Sequence, residues 1–231
     1  MTLDYEASII RVWKQNAKPW INAVREQGIR DPGTVSRDAL IATIEDHAQS
    51  RCQVLDVGCG EGWLADELAG RGFSVTGVDA SEELIHFAQK NRRGEFIVGD
   101  QASLKHRNFK QFGMLVCNFS LFGDLSVSRF VSSVPELLLP GGLLIIQTLH
   151  PFLFYGSKQS ATGWYTGTWA GLPGDFGEPP PIFVRSLENW SDLFRASGLS
   201  VQRLIEPSVS EGTAASLIFV VSNGESNDCA A

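Results

Sequence analysis

The sequence predicts an α/β domain built on a mostly parallel sheet covered by helices on both faces and preceded by a helical cap. Three observations predict it. From residue 53 onward, short apolar runs alternate with amphipathic stretches of helix length, the rhythm of strand–helix–strand units. Before residue 50, apolar residues recur only at helical spacing. At 231 residues the chain can also bury a core without disulfide or metal staples, since a chain of this size hides roughly 70% of the surface it exposes when unfolded.

The elements follow in order. Ile9, Ile10 and Trp13 share one helical face, and Pro19 stands near the start of a second helix carrying Trp20, Ile21 and Val24. Asp31-Pro32-Gly33 breaks the chain before Leu40, Ile41, Ile44 and Ala48 resume the helical period. Residues 54–57 form a first strand, and Leu64 and Leu68 mark a helix ending at Gly70. Residues 73–78 form a second strand closed by Asp79. Ser81 then caps a helix with Glu82 and Glu83 in its first turn, where acids complement the helix dipole. Strands follow at 96–98, 114–117 and 143–149, with a helix over 130–139 leading into Pro140-Gly141-Gly142. A helix over 187–196 and strands at 199–205 and 215–221 complete the pattern. The expected division is a cap over 1–50, a core over 51–221 with a loop insertion at 151–185, and a disordered tail at 222–231. The insertion holds six glycines and five prolines among many aromatic residues, and loops of that length are usually lids or binding loops.

Composition narrows the function. A net charge of −7 argues against affinity won by clamping nucleic-acid phosphates. Apolar runs such as 143–146 and 217–221 fall far short of the roughly 20 residues of a membrane span, and the first residues lack the basic-then-apolar order of a secretion signal. Cys52, Cys59, Cys117 and Cys229 contain no CxxC pair and read as reduced thiols, so a cytoplasmic location and no metal site are expected. Lys90-Asn91-Arg92-Arg93 and Lys105-His106-Arg107 are short and read as solvated helix and loop ends.

The informative stretch is Val54-Leu55-Asp56-Val57-Gly58-Cys59-Gly60-Glu61-Gly62, which leads into a helix. Glycines there allow a sharp turn and let a ligand approach bare backbone, while the helix N-terminus presents unpaired N–H groups. Asp79 ends the next strand 21 residues after Gly58, where a carboxylate can accept from ribose hydroxyls. Asp100 ends the third strand, placed to accept from an adenine amino group.

This set resembles the class I S-adenosylmethionine-dependent methyltransferase family over roughly residues 36–221. Met114-Leu115-Val116-Cys117-Asn118-Phe119-Ser120 is similar to the family's fourth strand and the loop under the reactive methyl, and Leu137-Leu138-Leu139-Pro140-Gly141-Gly142-Leu143-Leu144 to its turn into strand five. Trp13, Asn16 and Trp20, with Thr148-Leu149-His150-Pro151, resemble a small-molecule-modifying bacterial branch. The resemblance implies a Rossmann-like seven-stranded sheet of order 3-2-1-4-5-7-6 with strand seven antiparallel. It implies S-adenosyl-L-methionine as cofactor, S-adenosyl-L-homocysteine as product, and a small-molecule acceptor methylated on oxygen or nitrogen. Gly58, Cys59 and Gly60 would meet the methionine part and Asp56 would hold that loop. Asp79 and Ala80 would take the ribose and adenine, and Asp100 and Gln101 the adenine edge. Asn118 and Phe119 would lie near the sulfonium.

Two other readings stay open. A nicotinamide-dependent dehydrogenase would want glycine at position 63, where this chain has Trp63. A regulatory protein that binds the cofactor without transfer would keep the same pocket. Within methyltransferases, Asn118-Phe119-Ser120-Leu121 lacks the prolines of base-amino methylating enzymes, and neither a paired-glutamate loop nor an acidic magnesium cluster is visible.

His150, just after the fifth strand, is the candidate general base, and an unperturbed imidazole titrates near neutral pH. The competing reading is a histidine bonding the loop backbone before Pro151. Trp13, Trp20, Tyr155, Trp164, Tyr165 and Trp169 are the candidate substrate walls, although ordinary packing accounts for any one aromatic taken alone.

Overall fold

The computed structural model describes residues 4–27, 33–48, 52–107, 109–154, 162–210, 213–214 and 216–223. The expected tail at 222–231 therefore lies almost wholly outside the described residues, as do Cys229 and Tyr155.

Three helices open the chain: α1 (Tyr5–Gln15), α2 (Ala17–Gln27) and α3 (Gly33–His47). Then β1 (Gln53–Val57), α4 (Trp63–Gly70), β2 (Ser74–Asp79), α5 (Glu82–Asn91) and β3 (Glu95–Val98) alternate, followed by a 3-10 segment, Gln101–His106. Next come β4 (Phe112–Asn118), α6 (Leu125–Leu137), β5 (Leu138–Thr148) and a second 3-10 turn, Pro151–Phe154. The chain continues through β6 (Gly163–Thr166), β7 (Pro181–Val184), α7 (Leu187–Ala196), β8 (Leu199–Ile205), β9 (Ser208–Ser210), β10 (Thr213–Ala214) and β11 (Leu217–Asn223). The main sheet has seven strands in the order β3-β2-β1-β4-β5-β11-β8. Pairing is parallel from β3 through β5, whereas β11 runs antiparallel to both β5 and β8. Counting main-sheet strands alone, this is the expected order with the expected reversed strand.

Strand alternation divides the core. Val54, Met114, Val116 and Ile145 face a cluster with Leu40 and Ile44 of α3, Leu64 and Leu68 of α4, and Ile85 and Ala88 of α5. Leu55, Leu115, Leu144 and Ile146 face the opposite cluster, with Phe130 and Val134 of α6 and Trp190 and Phe194 of α7. The third helix of the expected cap thus packs on the sheet, and α1 and α2 are left to reach β7 and α5.

Two elements depart from expectation. β5 begins at Leu138, five residues earlier than expected, because Gly141 at φ 75° and a shift of register opposite Phe112 and Met114 let the strand continue through the Pro-Gly-Gly turn. The insertion is also not all loop, since β6 and β7 pair as an antiparallel hairpin. The basic clusters are largely exposed, as expected, and two of their arginines also brace loops: Arg93 Nε donates to Asp66 Oδ1 at 2.7 Å, and an Arg107 guanidinium N–H donates to the Val98 carbonyl.

Candidate functional site

The site is built at the carboxyl ends of β1, β2 and β4, where open α/β sheets form their crevice. Past Val57, Gly58, Gly60 and Gly62 all take positive φ, at 74°, 58° and 84°. The amides of Gly58 and Cys59 both donate to the Val78 carbonyl, at 2.7 and 3.1 Å, which pins the loop to the end of β2. Gly60 N–H donates to Asp79 Oδ2 at 3.0 Å and Ser81 N–H to Asp79 Oδ1 at 2.8 Å, so Asp79 lies beside the glycine loop with Ala80 half-buried next to it.

β4 supplies the facing wall. Ser120 Oγ donates to the Val57 carbonyl at 2.5 Å, and Gln101 Nε2 donates to the Ser120 carbonyl at 3.0 Å. These two bonds gather the loops after β1, β3 and β4. Phe119 has φ 48°, the one positive φ among described non-glycine residues, and its N–H donates to the Gln147 carbonyl at 2.8 Å. A left-handed phenylalanine is sterically costly and clusters with functional backbone. Asp100 caps the 3-10 segment, accepting from Ser103 N–H at 2.8 Å.

The electrostatics are one-sided. Asp56 and Glu61 are buried and Asp79 is half-buried beside them, and each carboxyl is pushed above its usual range chiefly by desolvation. Asp56 rises to about 8, with the charges of Asp79 and Glu61 adding to the desolvation. Lys14 opposes this at Asp79, and the Trp20 hydrogen bond and Arg92 oppose it at Glu61. Asp56 Oδ2 and Asn118 Oδ1 are buried without a hydrogen-bond partner among the described residues. The Cys59 thiol is pushed well up by burial and the neighbouring acids, which removes it as a nucleophile.

A pH dependence follows. The folded state holds the Asp56 proton up to about pH 8, whereas the unfolded chain releases it near 3.8. The stabilisation from this neutral carboxyl is complete below the lower value and is lost as pH rises toward the upper one. Ligand-free protein is expected to melt at a lower temperature at pH 8.5 than at pH 6.5, with Asp56→Asn shrinking the difference. Equal pH slopes for the two proteins in a thermal melt would contradict this.

The candidate aromatics separate into two groups. Trp20 Nε1–H donates to Glu61 Oε2 at 2.9 Å, Trp13 meets Trp20 and Trp169 edge-on at 5.3 Å each, and Trp169 stacks on Phe176 at 4.6 Å. This row runs from the glycine loop to the insertion and is tied again where Gly177 N–H donates to Asn16 Oδ1 at 2.8 Å. Trp164 instead stacks on Tyr5 at 4.8 Å, and Tyr165 packs edge-on against Phe154 at 4.9 Å within the cluster of Ile182 and Val184. His150 is buried, with Nε2 2.7 Å from Glu206 Oε1 and Nδ1 accepting from Phe152 N–H at 3.1 Å. The backbone donor at Nδ1 places the ring proton on Nε2, facing the carboxylate.

Sequence reasoning missed Glu61, Ser120 and Arg185. Glu61 is fully buried, and a charged residue inside a glycine loop was the available signal. The partners of Ser120 and Arg185 lie some 60 residues away in the chain, so nothing local marked them.

Residues 54–142 match the family described as methyltransferase domain. Over that segment, from β1 to the Pro-Gly-Gly turn within β5, the chain is a methyltransferase domain. The ubiquinone biosynthesis O-methyltransferase of Rickettsia prowazekii is 33% identical over 106 residues, covering 44% of this chain and 41% of the relative. Its human mitochondrial counterpart is 29% identical over 189 residues, covering 73% of this chain and 48% of the relative. The chain thus spans less than half the length of these curated relatives. Among solved structures, magnesium protoporphyrin IX methyltransferase from Synechocystis PCC 6803 with bound S-adenosylhomocysteine superposes with a TM-score of 0.67 at 18% identity, covering 94% of this chain and 99% of that one. This likeness establishes the methyltransferase fold. Among the described residues no helix is long and apolar enough to cross a membrane.

Proposed function

We propose that the chain transfers a methyl group from S-adenosylmethionine to a small-molecule acceptor, at oxygen or nitrogen. The observation that carries this reading is the left-handed glycine loop packed against three carboxyls, of which Asp56 is fully buried with no cation paired to it and Glu61 and Asp79 are only partly offset by Arg92 and Lys14. A ligand bearing both an ammonium and a sulfonium offers the charge those acids lack, and Asp56 Oδ2 and Asn118 Oδ1 are acceptors left for it. An open cleft of about 290 Å³ lined by Lys14, Ser81, Glu82 and Glu83 lies beside Asp79, with room for the ribose end. Trp63 opens α4 where a dinucleotide site would place its third glycine, which disfavours a nicotinamide cofactor.

When bound, the cofactor supplies an electrophilic methyl group, so the protein need not provide a nucleophile. Gly58, Cys59 and Gly60 would orient its methionine part through backbone, Asp79 its ribose, Ala80, Asp100 and Gln101 its adenine, and Asn118 and Phe119 the end nearest the acceptor. Alignment of this kind supplies roughly 7–11 kcal/mol of a two-reactant barrier. Trp13, Trp20 and Trp169 would exclude water and shelter a flat acceptor. The acceptor is proposed as a small molecule on the pattern of the relatives, whose names specify ubiquinone biosynthesis and magnesium protoporphyrin IX.

For an acceptor that must lose a proton, His150 is proposed as the base. Glu206 fixes the Nε2 proton and leaves the lone pair on Nδ1, where the substrate hydroxyl would replace Phe152 N–H. His150→Ala is expected to lower turnover roughly 10²–10⁴-fold with cofactor affinity unchanged. Unchanged turnover would leave the histidine as a pin for the turn after β5. Titration calorimetry tests the cofactor assignment: S-adenosylmethionine and S-adenosylhomocysteine should bind and NAD should not, and the reverse pattern would overturn it.

A further inference from the structure

Glu61 is fully buried within the glycine loop, where a charged side chain is costly unless it is paired. One carboxylate oxygen, Oε2, accepts the Trp20 indole N–H at 2.9 Å, across 41 residues of chain. The other, Oε1, has no hydrogen-bond partner among the described residues, and its nearest cation, Arg92 Nη2, stands 3.7 Å away. The indole reaches over the loop as well, because a Cβ added at Gly60 would lie 3.6 Å from Trp20 Nε1. On its far side Trp20 meets Trp13, then Trp169 and Phe176, and Asn16 binds Gly177 of the insertion. α2 and the insertion therefore form one body whose hydrogen bond to the glycine loop runs through Trp20 and Glu61.

We propose that Glu61 is a positioning residue that latches the helical cap onto the glycine-rich loop through Trp20, so that cofactor exchange requires this hydrogen bond to break. The inference rests on the methyl-transfer reading for the identity of the ligand. A hydrogen bond between an indole and a buried carboxylate suits a latch, since it is strong while water is excluded and is readily replaced by water once the cap lifts. With the bond closed, the indole covers Gly60, the residue whose amide also binds Asp79.

The test is the dissociation rate of S-adenosylhomocysteine, measured by stopped-flow displacement on the whole chain and paired with the KM for S-adenosylmethionine and kcat. Trp20→Phe keeps a ring and loses the N–H, and Glu61→Leu loses the acceptor without touching the cap. Each should speed release by about tenfold, the weight of a hydrogen bond to a charged group, and raise KM more than it lowers kcat. Glu61→Gln keeps an acceptor oxygen and should restore near-normal release, and Trp20→Phe combined with Glu61→Leu should be no faster than either alone. Release unchanged in both single variants overturns the latch, as does acceleration by Arg92→Leu alone. Failure of the unaltered protein to bind S-adenosylhomocysteine would overturn the cofactor reading and the latch together, whereas normal binding with unaltered release overturns the latch only.

Discussion

Replacing Gly58 with alanine is expected to weaken cofactor binding by roughly 100-fold or more and to lower the melting temperature. Two costs act together. At φ 74° an alanine sits in the left-handed region, at a penalty of roughly 1–2 kcal/mol. Its Cβ would also collide with the Cβ of Ser120 and lie 3.0 Å from Ser120 Oγ. Ser120 has little freedom to retreat, because its hydroxyl donates to the Val57 carbonyl and its own carbonyl accepts from Gln101. Relief must come from the loop itself, whose amides at 58 and 59 share the Val78 carbonyl. Loss of a few kcal/mol of correct loop geometry corresponds to two or more decades of affinity. Calorimetry on Gly58→Ala checks the effect, and adding Ser120→Gly should recover part of it by removing the colliding carbon. Near-normal affinity in Gly58→Ala would show that the loop does not need this close approach.

Arg185→Leu should cost about 3–5 kcal/mol of stability, the range for removing one partner of a buried charged network. That corresponds to a melting temperature lower by about 10 °C for a domain of this size. The arginine is 3% exposed. Its guanidinium donates to the carbonyls of Gly123 and Asp124 at 2.8 Å each and to Asp124 Oδ1 at 3.0 Å, and lies 4.7 Å from the Phe183 ring centroid and 5.3 Å from that of Trp190. Burial lowers its pKa to about 10 against the pull of Asp124 and Glu6, so it stays charged at neutral pH. From α1, Glu6 accepts the N–H groups of Asp124 and Leu125 at 2.8 Å each and the Ser126 hydroxyl at 2.6 Å. The start of α6 is thus fixed from the insertion and from α1 at once. Loosening it should also slacken the segment that carries Phe119. Arg185→Lys should rescue little, because an ammonium cannot reproduce the planar fork. A thermal shift under about 2 °C for Arg185→Leu would contradict the account.

The sequence carried its information locally, and this explains what it revealed. The alternation of strands and helices, the glycine loop and the acids at strand ends depend on residues within a few positions of each other. The resemblance then supplied the strand order, which the pairing of β11 between β5 and β8 matches. What stayed hidden depends on distant partners. The β6–β7 hairpin joins segments separated by a glycine- and proline-rich stretch with no strand period. The Trp20–Glu61 bond spans 41 residues and the Glu6–Asp124 bond 118. His150 was visible as a candidate, but its orientation depended on Glu206, which lies beyond β6, β7, α7 and β8. Trp164 and Tyr165 were legible as aromatic residues, not as ones engaged with Tyr5 and Phe154.

The most direct measurement is transfer of an isotopically labelled methyl group from S-adenosylmethionine, with the purified chain added to a bacterial extract. The extract is then split by ultrafiltration and each fraction read by mass spectrometry. Label in the small-molecule fraction, absent without the chain, is the predicted result, and the mass of the labelled product identifies the acceptor. Label in protein or nucleic acid would contradict the small-molecule assignment. Tight cofactor binding with no label in any fraction, across extracts of differing source, would contradict transfer itself.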